Sequence, residues 1–184
     1  MKRIIIAGII GVAIGIAGML AFINLKHQPE KAVPDPRKSK ILFSTTETEG
    51  YFFPTHDNLL IMDRTNAEMS EAFIVQIAPG KFTHRHIHDD TEQLFYILSG
   101  KGKLNLERAG GMETFELLPT NFVHVPRKCY HQTFCEGTDT LKYLAIDCFL
   151  IGLNHSEPTW DDHARAVCKM NNWDYNEARK AKSK

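Results

Sequence analysis

Short apolar runs separated by turn signals fill the sequence from about Ile41 to Leu150 and restrict the fold more than any other feature. Gly, Pro, Asn and Asp punctuate the runs, in stretches such as APG, SGKG, AGG, PTN and CEGTD. Strands at this close, regular spacing are typical of an all-β barrel or sandwich. The pattern predicts about eight strands, which are NLLIMD, EAFIVQI, QLFYIL, KLNLE, TFELL, FVHV, HQTF and LKYLAIDCFL.

An uncharged apolar segment precedes this β-rich region. Residues 4–24, IIIAGIIGVAIGIAGMLAFIN, are about as long as a helix that crosses a bilayer core. The segment is predicted to be a transmembrane helix that anchors the chain, or a signal peptide, and the lack of an A-x-A-like cleavage site favours the single-pass anchor. Lys2 and Arg3 predict a cytoplasmic N-terminus, so the rest of the chain would be extracytoplasmic, or secreted if the segment is cleaved.

The rest of the chain divides by composition. Residues 26–40 carry three prolines among charged residues and are predicted to form an extended tether. After the β-rich region, Thr159 is a candidate helix N-cap, and Asp161 and Asp162 would lie in the first turn of a C-terminal helical tail. The predicted organisation is an anchor or signal peptide at 1–25, a tether at 26–40, a β-barrel at 41–156 and a C-terminal helical extension at 157–184.

Charge and glycine spacing bear on the partners of the protein. The 22 basic and 22 acidic residues cancel, and no basic stripe marks a folded segment, so no nucleic-acid partner is expected. The membrane is the partner predicted for residues 4–24. Within that segment, Gly11 and Gly15 form a GxxxG pattern that would suit a homodimer contact.

The four cysteines, Cys129, Cys135, Cys148 and Cys168, are too widely spread for a zinc ribbon or a CxxC redox motif. An extracytoplasmic position would permit disulfides, and a bridge between Cys148 and Cys168 would attach the helical tail to the barrel. The alternative is that several of them are small buried side chains with free thiols.

Three alternating histidines occur in the stretch HRHIHDDTEQ, residues 84–93. If residues 83–88 form a strand, the three imidazoles point to one face, where they can converge on one metal ion. Glu92 and Gln93 follow as two adjacent candidates for a further ligand.

The same region resembles the first motif of the cupin family, G-x5-H-x-H-x(3,4)-E-x6-G, between Gly80 and Gly100. Pro126 and His131 resemble the second motif, G-x5-P-x-G-x2-H-x3-N, although its two glycines and its asparagine are replaced here. The resemblance covers residues 62–150. It implies a double-stranded β-helix barrel, which agrees with the number of predicted strands.

The resemblance also implies a metal site. In cupins the two histidines and the acid of the first motif and the histidine of the second hold one divalent ion, which corresponds here to His86, His88, residue 92 or 93, and His131. Counting back six residues from the last glycine of the first motif selects Gln93, whereas Glu92 fits only if the next strand contains one extra residue. The predicted ligands are therefore His86, His88, Gln93 and His131, for an ion of Fe, Mn, Ni, Zn or Cu.

The predicted ligands suggest the chemistry. Three imidazoles and an amide leave the charge of a divalent ion uncompensated, which favours a small anionic substrate and Lewis-acid chemistry with proton transfer. We expect an enzyme of the isomerase, cyclase or lyase type, with a non-haem iron dioxygenase or a non-catalytic ligand-binding or sensing module as alternatives, because the fold serves all of these. Tyr96 and Tyr130 are the candidate catalytic residues, and His124 and Asp147 are further polar residues that could border the cavity.

Overall fold

The structure, a computed structural model, describes residues 40–150, 152 and 156–180. The predicted membrane segment at 4–24 and all but the last residue of the predicted tether lie outside this range. Within the described residues, no helix combines the length and the apolar character that a membrane crossing requires.

The described residues contain nine strands. Their bounds are β1 Glu49–Phe52, β2 Asp57–Met62, β3 Ser70–Ile77, β4 Thr91–Ser99, β5 Gly102–Arg108, β6 Gly111–Leu117, β7 Phe122–Val125, β8 His131–Cys135 and β9 Leu141–Phe149. Eight of them correspond to the predicted apolar runs. The pattern does not reveal β1, because only the last two of its four residues, EGYF, are apolar and the glycine before them weakens strands.

The strands form two sheets around one hydrophobic core. Six strands pair in the order β1-β2-β3-β9-β4-β7, and three pair in the order β6-β5-β8. Buried residues alternate with less buried ones along β3 and β9, as expected when one face of each strand packs on the core. Both sheets contribute to that core, for example through Phe95 and Ile97 of β4 and Leu104 and Leu106 of β5. The predicted all-β fold is confirmed.

Residues 83–88 do not form a regular strand, so the condition for three imidazoles on one strand face is not met. This segment forms only one isolated bridge, between His86 and His131, and Phe82 just before it forms another with Phe134. The two histidines of the first bridge exchange both backbone hydrogen bonds, at 3.1 and 2.9 Å. Because only isolated backbone contacts join this segment to β8, alternation along the chain does not decide where each histidine side chain points.

Two short helices follow the sheets, α1 at Trp160–Met170 and α2 at Tyr175–Ala178. As predicted, Thr159 is the N-cap of α1, where its hydroxyl accepts from the backbone N–H of Asp162, whose side chain in turn accepts from the backbone N–H of Thr159. The ring of Trp160 packs on Phe73 of β3, with 4.3 Å between centroids, and is 2% exposed. Helix α1 therefore packs against the core side of the larger sheet.

The predicted disulfide between Cys148 and Cys168 is wrong, because all four cysteines are free thiols. Cys148 occupies one of the less buried positions that alternate with the core residues of β9, so its side chain points out of the core. Cys168 is 1% exposed and belongs to the core. The two thiols thus lie on different sides of the sheet.

Candidate metal centre and its cavity

Three histidines from two distant parts of the chain converge on one point. His86 and His88 lie in the irregular segment before β4, and His131 is the first residue of β8. Their candidate ligand nitrogens all lie within 4.8 Å of one another, so this group could hold a metal ion. The backbone bridge between His86 and His131 keeps the two rings at a centroid distance of 4.2 Å.

Backbone carbonyls fix the orientation of two of these rings. Nδ1 of His86 lies 2.9 Å from the carbonyl oxygen of His84, and Nδ1 of His131 lies 3.1 Å from that of Cys129. Since a carbonyl oxygen only accepts, each Nδ1 carries the proton that is donated. Each Nε2 then presents a lone pair, as a neutral imidazole that binds a metal requires.

The site keeps its histidines uncharged. Burial lowers the pKa of His88 to about 3 and the pKa of His131 to about 4, and burial together with the neighbouring histidines lowers the pKa of His86 well below its usual range. The imidazoles are therefore neutral, and able to bind a cation, over the whole physiological pH range.

Strand β4 places Gln93 and Glu92 on opposite faces of the sheet. The Gln93 side chain is 6% exposed, and its Oε1 lies 2.9 Å from Nε2 of His131. Glu92 lies on the outer face, where its carboxylate is 3.6 Å from Nε2 of the exposed His124. The structure therefore brings Gln93 to the three histidines and leaves Glu92 away from them.

The contact between Gln93 and His131 fits a bound cation. The amide nitrogen of Gln93 donates to Asp147 Oδ1 at 2.8 Å, so the amide oxygen is the atom that faces His131. Both facing atoms carry lone pairs, and two acceptors at this distance repel each other unless a cation lies between them. Two ligands about 2.1 Å from one ion and at right angles would lie about 3 Å apart, which agrees with the distance found. The buried Nε2 atom of His88 also has no hydrogen-bond partner among the described residues.

A buried polar chain holds Gln93 in this orientation. Asp147 of β9 lies opposite Glu71 of β3 on one side and opposite Gln93 on the other. Burial raises the pKa of both Asp147 and Glu71. Oδ1 of Asp147 accepts from the amide of Gln93. Arg64 donates to both carboxylate oxygens of Glu71, at 2.6 and 2.7 Å, and compensates the buried negative charge.

A cavity of about 700 Å³ opens beside the three histidines. Its wall combines the metal-binding side chains with aromatic residues such as Phe73 and Phe95, and helix α1 contributes Trp160. Several buried polar atoms in the wall have no hydrogen-bond partner in the part of the chain that the structure describes, namely Asn58 Oδ1, His84 Nδ1, His88 Nε2 and Trp160 Nε1. A largely apolar cavity with a few converging polar atoms is the usual form of a small-molecule site.

The two tyrosines predicted to be catalytic lie at different distances from this cavity. Tyr130 is at its rim, 39% exposed, with the guanidinium of Arg85 over its ring at 3.8 Å. Tyr96 is 41% exposed and does not line the cavity, because it follows the inward-facing Phe95 and so points to the outer face of β4.

Sequence reasoning missed Arg64, Glu71 and the contribution of helix α1. The sequence does mark Glu71 as unusual. On β3 it occupies the same alternate positions as the buried residues Phe73, Val75 and Ile77, so it is an acid at a core position. Asp147 has the same signal on β9. Nothing in the local sequence marks Arg64, which lies in a short 3-10 helix, Arg64–Asn66.

Sequence comparison identifies a known domain family in this region. The family model described as Cupin domain matches residues 73–147, from β3 to the buried acid of β9. A comparison with curated proteins finds no significant match.

Several solved structures share the fold. An oxalate decarboxylase from Lactobacillus farciminis, in complex with formate, superposes with a TM-score of 0.56 and 19% identity over 84% of this chain and 46% of its own chain. A predicted oxalate decarboxylase from Thermotoga maritima gives 0.53 and 15% over 60% of this chain and 100% of its own. The polyketide cyclase RemF from Streptomyces resistomycificus gives 0.51 and 18% over 63% and 88%. This chain thus spans less than half of the Lactobacillus protein, and identities this low establish the fold alone.

Proposed function

The barrel of this chain is a cupin domain, and from that premise we propose that the protein is a metal-dependent enzyme acting on a small anionic organic molecule. The reaction would be of the isomerase, cyclase or lyase type. One observation carries the proposal: an uncharged ligand set, formed by His86, His88, Gln93 and His131, lies in the wall of a cavity of about 700 Å³. The related structures include a decarboxylase and a cyclase, but the proposal rests on the residues of this site.

The charge of the site selects the substrate class. A divalent ion held by these residues would supply a Lewis acid whose two positive charges the four ligands do not cancel. The buried acid Asp147 is bonded to the amide of Gln93, and the positive charge of Arg64, which is bonded to Glu71, acts to lower the pKa of Asp147. An anionic oxygen of the substrate, such as a carboxylate or an enolate, would complete the charge balance.

The remaining residues of the cavity bind and enclose the substrate. Phe73, Phe95 and Trp160 supply apolar walls that keep water from the site. Asn58 Oδ1 and His84 Nδ1 are unpartnered atoms in the same wall and can form hydrogen bonds to polar groups of a bound molecule. This combination of a metal centre with uncharged ligands, an apolar wall and a few polar contacts allows a substrate to be oriented beside the ion.

Metal analysis and matched ligands test the proposal. Full-length protein purified without a His-tag should contain one equivalent of a divalent metal, measured by elemental analysis. Oxalate and malonate should raise the Tm of the metal-loaded protein, whereas the uncharged analogues oxamide and malonamide should raise it far less, because only the acids neutralise the ion. Equal shifts with acids and amides, or no shift with either, would contradict an anionic substrate.

Turnover separates this proposal from two others. NMR of metal-loaded protein with a panel of small carboxylates and sugar acids should show conversion of at least one of them without consumption of oxygen. Oxygen uptake coupled to conversion would support a non-haem iron dioxygenase instead. Tight binding of an acid without any conversion would support a ligand-binding or sensing cupin.

We also propose that residues 4–24 anchor the domain on the extracytoplasmic side of a membrane. The support is the uncharged segment of bilayer-spanning length that follows Lys2 and Arg3. A reporter enzyme that works only outside the cytoplasm should show activity when it is fused after Lys184. The fusion protein should sediment with membranes. Activity of a reporter that works only in the cytoplasm would contradict this placement.

A further inference from the structure

A hydrogen-bonded pair of a histidine and a glutamate, His163 and Glu157, lies outside the metal centre, where helix α1 meets the cavity. Nδ1 of His163 lies 2.7 Å from Oε2 of Glu157, and both side chains are 26% exposed. The hydrogen bond from His163 lowers the pKa of Glu157, so Glu157 is an ionised acceptor and Nδ1 carries the donated proton. A carboxylate that holds one ring nitrogen fixes the tautomer and leaves Nε2 to interact with a ligand.

The segment that carries this pair is fixed to the barrel. Arg64 donates from Nη1 to the backbone carbonyl of Glu157 at 2.8 Å while its other nitrogens bind Glu71. Oδ2 of Asp63 accepts from the backbone N–H of Trp160 at 2.9 Å, next to the helix N-terminus. The residue that orients His163 is thus tied to the same arginine that compensates the buried acids behind Gln93.

His163 and Glu157 line the same cavity as the three converging histidines. Nε2 of His163 makes no hydrogen bond to the described part of the chain. The charged and titratable groups that act on the pair include Glu71, Arg64, Asp162, His84 and His88. No group among them occupies Nε2, so this nitrogen can accept a proton from a molecule in the cavity or donate one to it.

We propose that His163, oriented by Glu157, is a proton-carrying contact for an anionic substrate, so that helix α1 supplies a catalytic acid–base residue to the cavity. This inference rests on the proposed enzymatic function. Nε2 takes a proton from the substrate or from solvent, Glu157 stabilises the resulting imidazolium, and return of that proton to the substrate restores the neutral ring. No redox partner is required.

Proton uptake on binding of a small anion tests this role without a known substrate. Oxalate is titrated calorimetrically into zinc-loaded full-length protein in two buffers of different ionisation enthalpy, at a pH at which labelled-histidine NMR of the free protein shows a neutral His163 ring. The wild type should take up about one proton per oxalate, since a charged donor to the anion is favoured over a neutral ring. Labelled-histidine NMR should show that Nε2 of His163 gains the proton.

The matched variant is His163→Asn. The amide N–H of Asn can still donate to Glu157, but the variant lacks the ring nitrogen Nε2 that would contact the ligand. This variant should take up no proton and bind oxalate about tenfold more weakly, the value of one hydrogen bond to an anion, with zinc content unchanged. Lys169→Gln, an exposed change on the same helix, should behave as wild type.

Two outcomes would overturn the inference, and they are distinguishable. Wild-type affinity and proton uptake in His163→Asn would show that His163 does not contact the anion, while the proposed function would stand. Failure of the zinc-loaded wild type to bind oxalate would contradict the anionic substrate itself, and the role of His163 would be rejected together with it.

Discussion

The amide nitrogen of Gln93 donates a 2.8 Å hydrogen bond to Oδ1 of Asp147, across the neighbouring strands β4 and β9. This hydrogen bond determines whether the oxygen or the nitrogen of the amide faces the histidines. Turned by half a rotation, the same side chain would present an N–H to His131 and could not bind a cation. A buried acid on β9 therefore decides whether the glutamine of β4 can act as a metal ligand.

Replacing Asp147 by Val should weaken metal binding while leaving all four predicted ligands in place. The amide of Gln93 would lose the acceptor that orients it, and loss of such a supporting bond lowers metal affinity by about 10- to 100-fold. Competition with a chelator of known affinity measures the change. Cys148→Ser, the next residue and on the outer face, is the control and should bind as wild type. Unchanged affinity in Asp147→Val would contradict the orienting role.

Removing any one of the three converging histidines should remove most of the metal. Alanine at His86, His88 or His131 deletes an imidazole that water replaces poorly in a pre-oriented site. His84→Ala should retain the metal, because His84 lies beside the site and outside the group of three. Elemental analysis after dialysis distinguishes the variants, and metal loss from His84→Ala equal to that of the others would show that the ligand set is wrong.

The two adjacent candidates at the start of β4 should respond in opposite ways. Gln93→Glu should keep the metal, since a carboxylate is a stronger ligand, but should weaken binding of oxalate because one positive charge is cancelled. Glu92→Gln should change neither property, since Glu92 is on the outer face. Measurements of metal content and oxalate affinity in the variants decide whether Gln93 or Glu92 is the ligand. If Glu92→Gln loses the metal and Gln93→Ala keeps it, the assignment of Gln93 is off by one residue.

Breaking the buried ion pair of Arg64 and Glu71 should destabilise the fold strongly. The two side chains are 3% and 0% exposed, so Arg64→Met would leave an uncompensated buried acid beside Asp147. The expected loss in the free energy of unfolding is about 3 to 5 kcal/mol, measured by urea denaturation. The double variant Arg64→Met/Glu71→Leu should recover much of that loss. A double variant as unstable as the single one would argue against the pair as the cause.

The stability contributed by Glu157 should depend on pH. The hydrogen bond from His163 lowers its pKa in the folded state, so the folded protein binds fewer protons here than the unfolded chain does. The contribution is therefore present above the unfolded pKa of about 4.3 and is lost as pH falls through the lowered folded value. Glu157→Gln should be less stable than wild type by about 1 kcal/mol at neutral pH. Denaturation curves should converge at acid pH, and a gap that persists there would rule out this cause.

The features that the sequence revealed are those encoded by neighbouring residues. Alternation of apolar residues located eight strands, and the sequence Thr159 to Asp162 marked the start of helix α1. The resemblance of residues 80–100 to the first cupin motif implied that His86 and His88 are ligands and that His84 is not. The strand and helix patterns reflect geometry within one segment, where side-chain direction follows from local backbone conformation.

The sequence by itself thus determined an all-β chain with three histidines that could converge. Tertiary structure alone decided that Asp147 lies between Glu71 and Gln93, and that His163 lines the same cavity as His88. These contacts join segments 54 to 76 residues apart, and the pairing of the strands and the packing of α1 bring them together. An acid at a core position signals that a buried partner exists, because an uncompensated buried charge is too costly, but only the folded chain shows which residue that partner is.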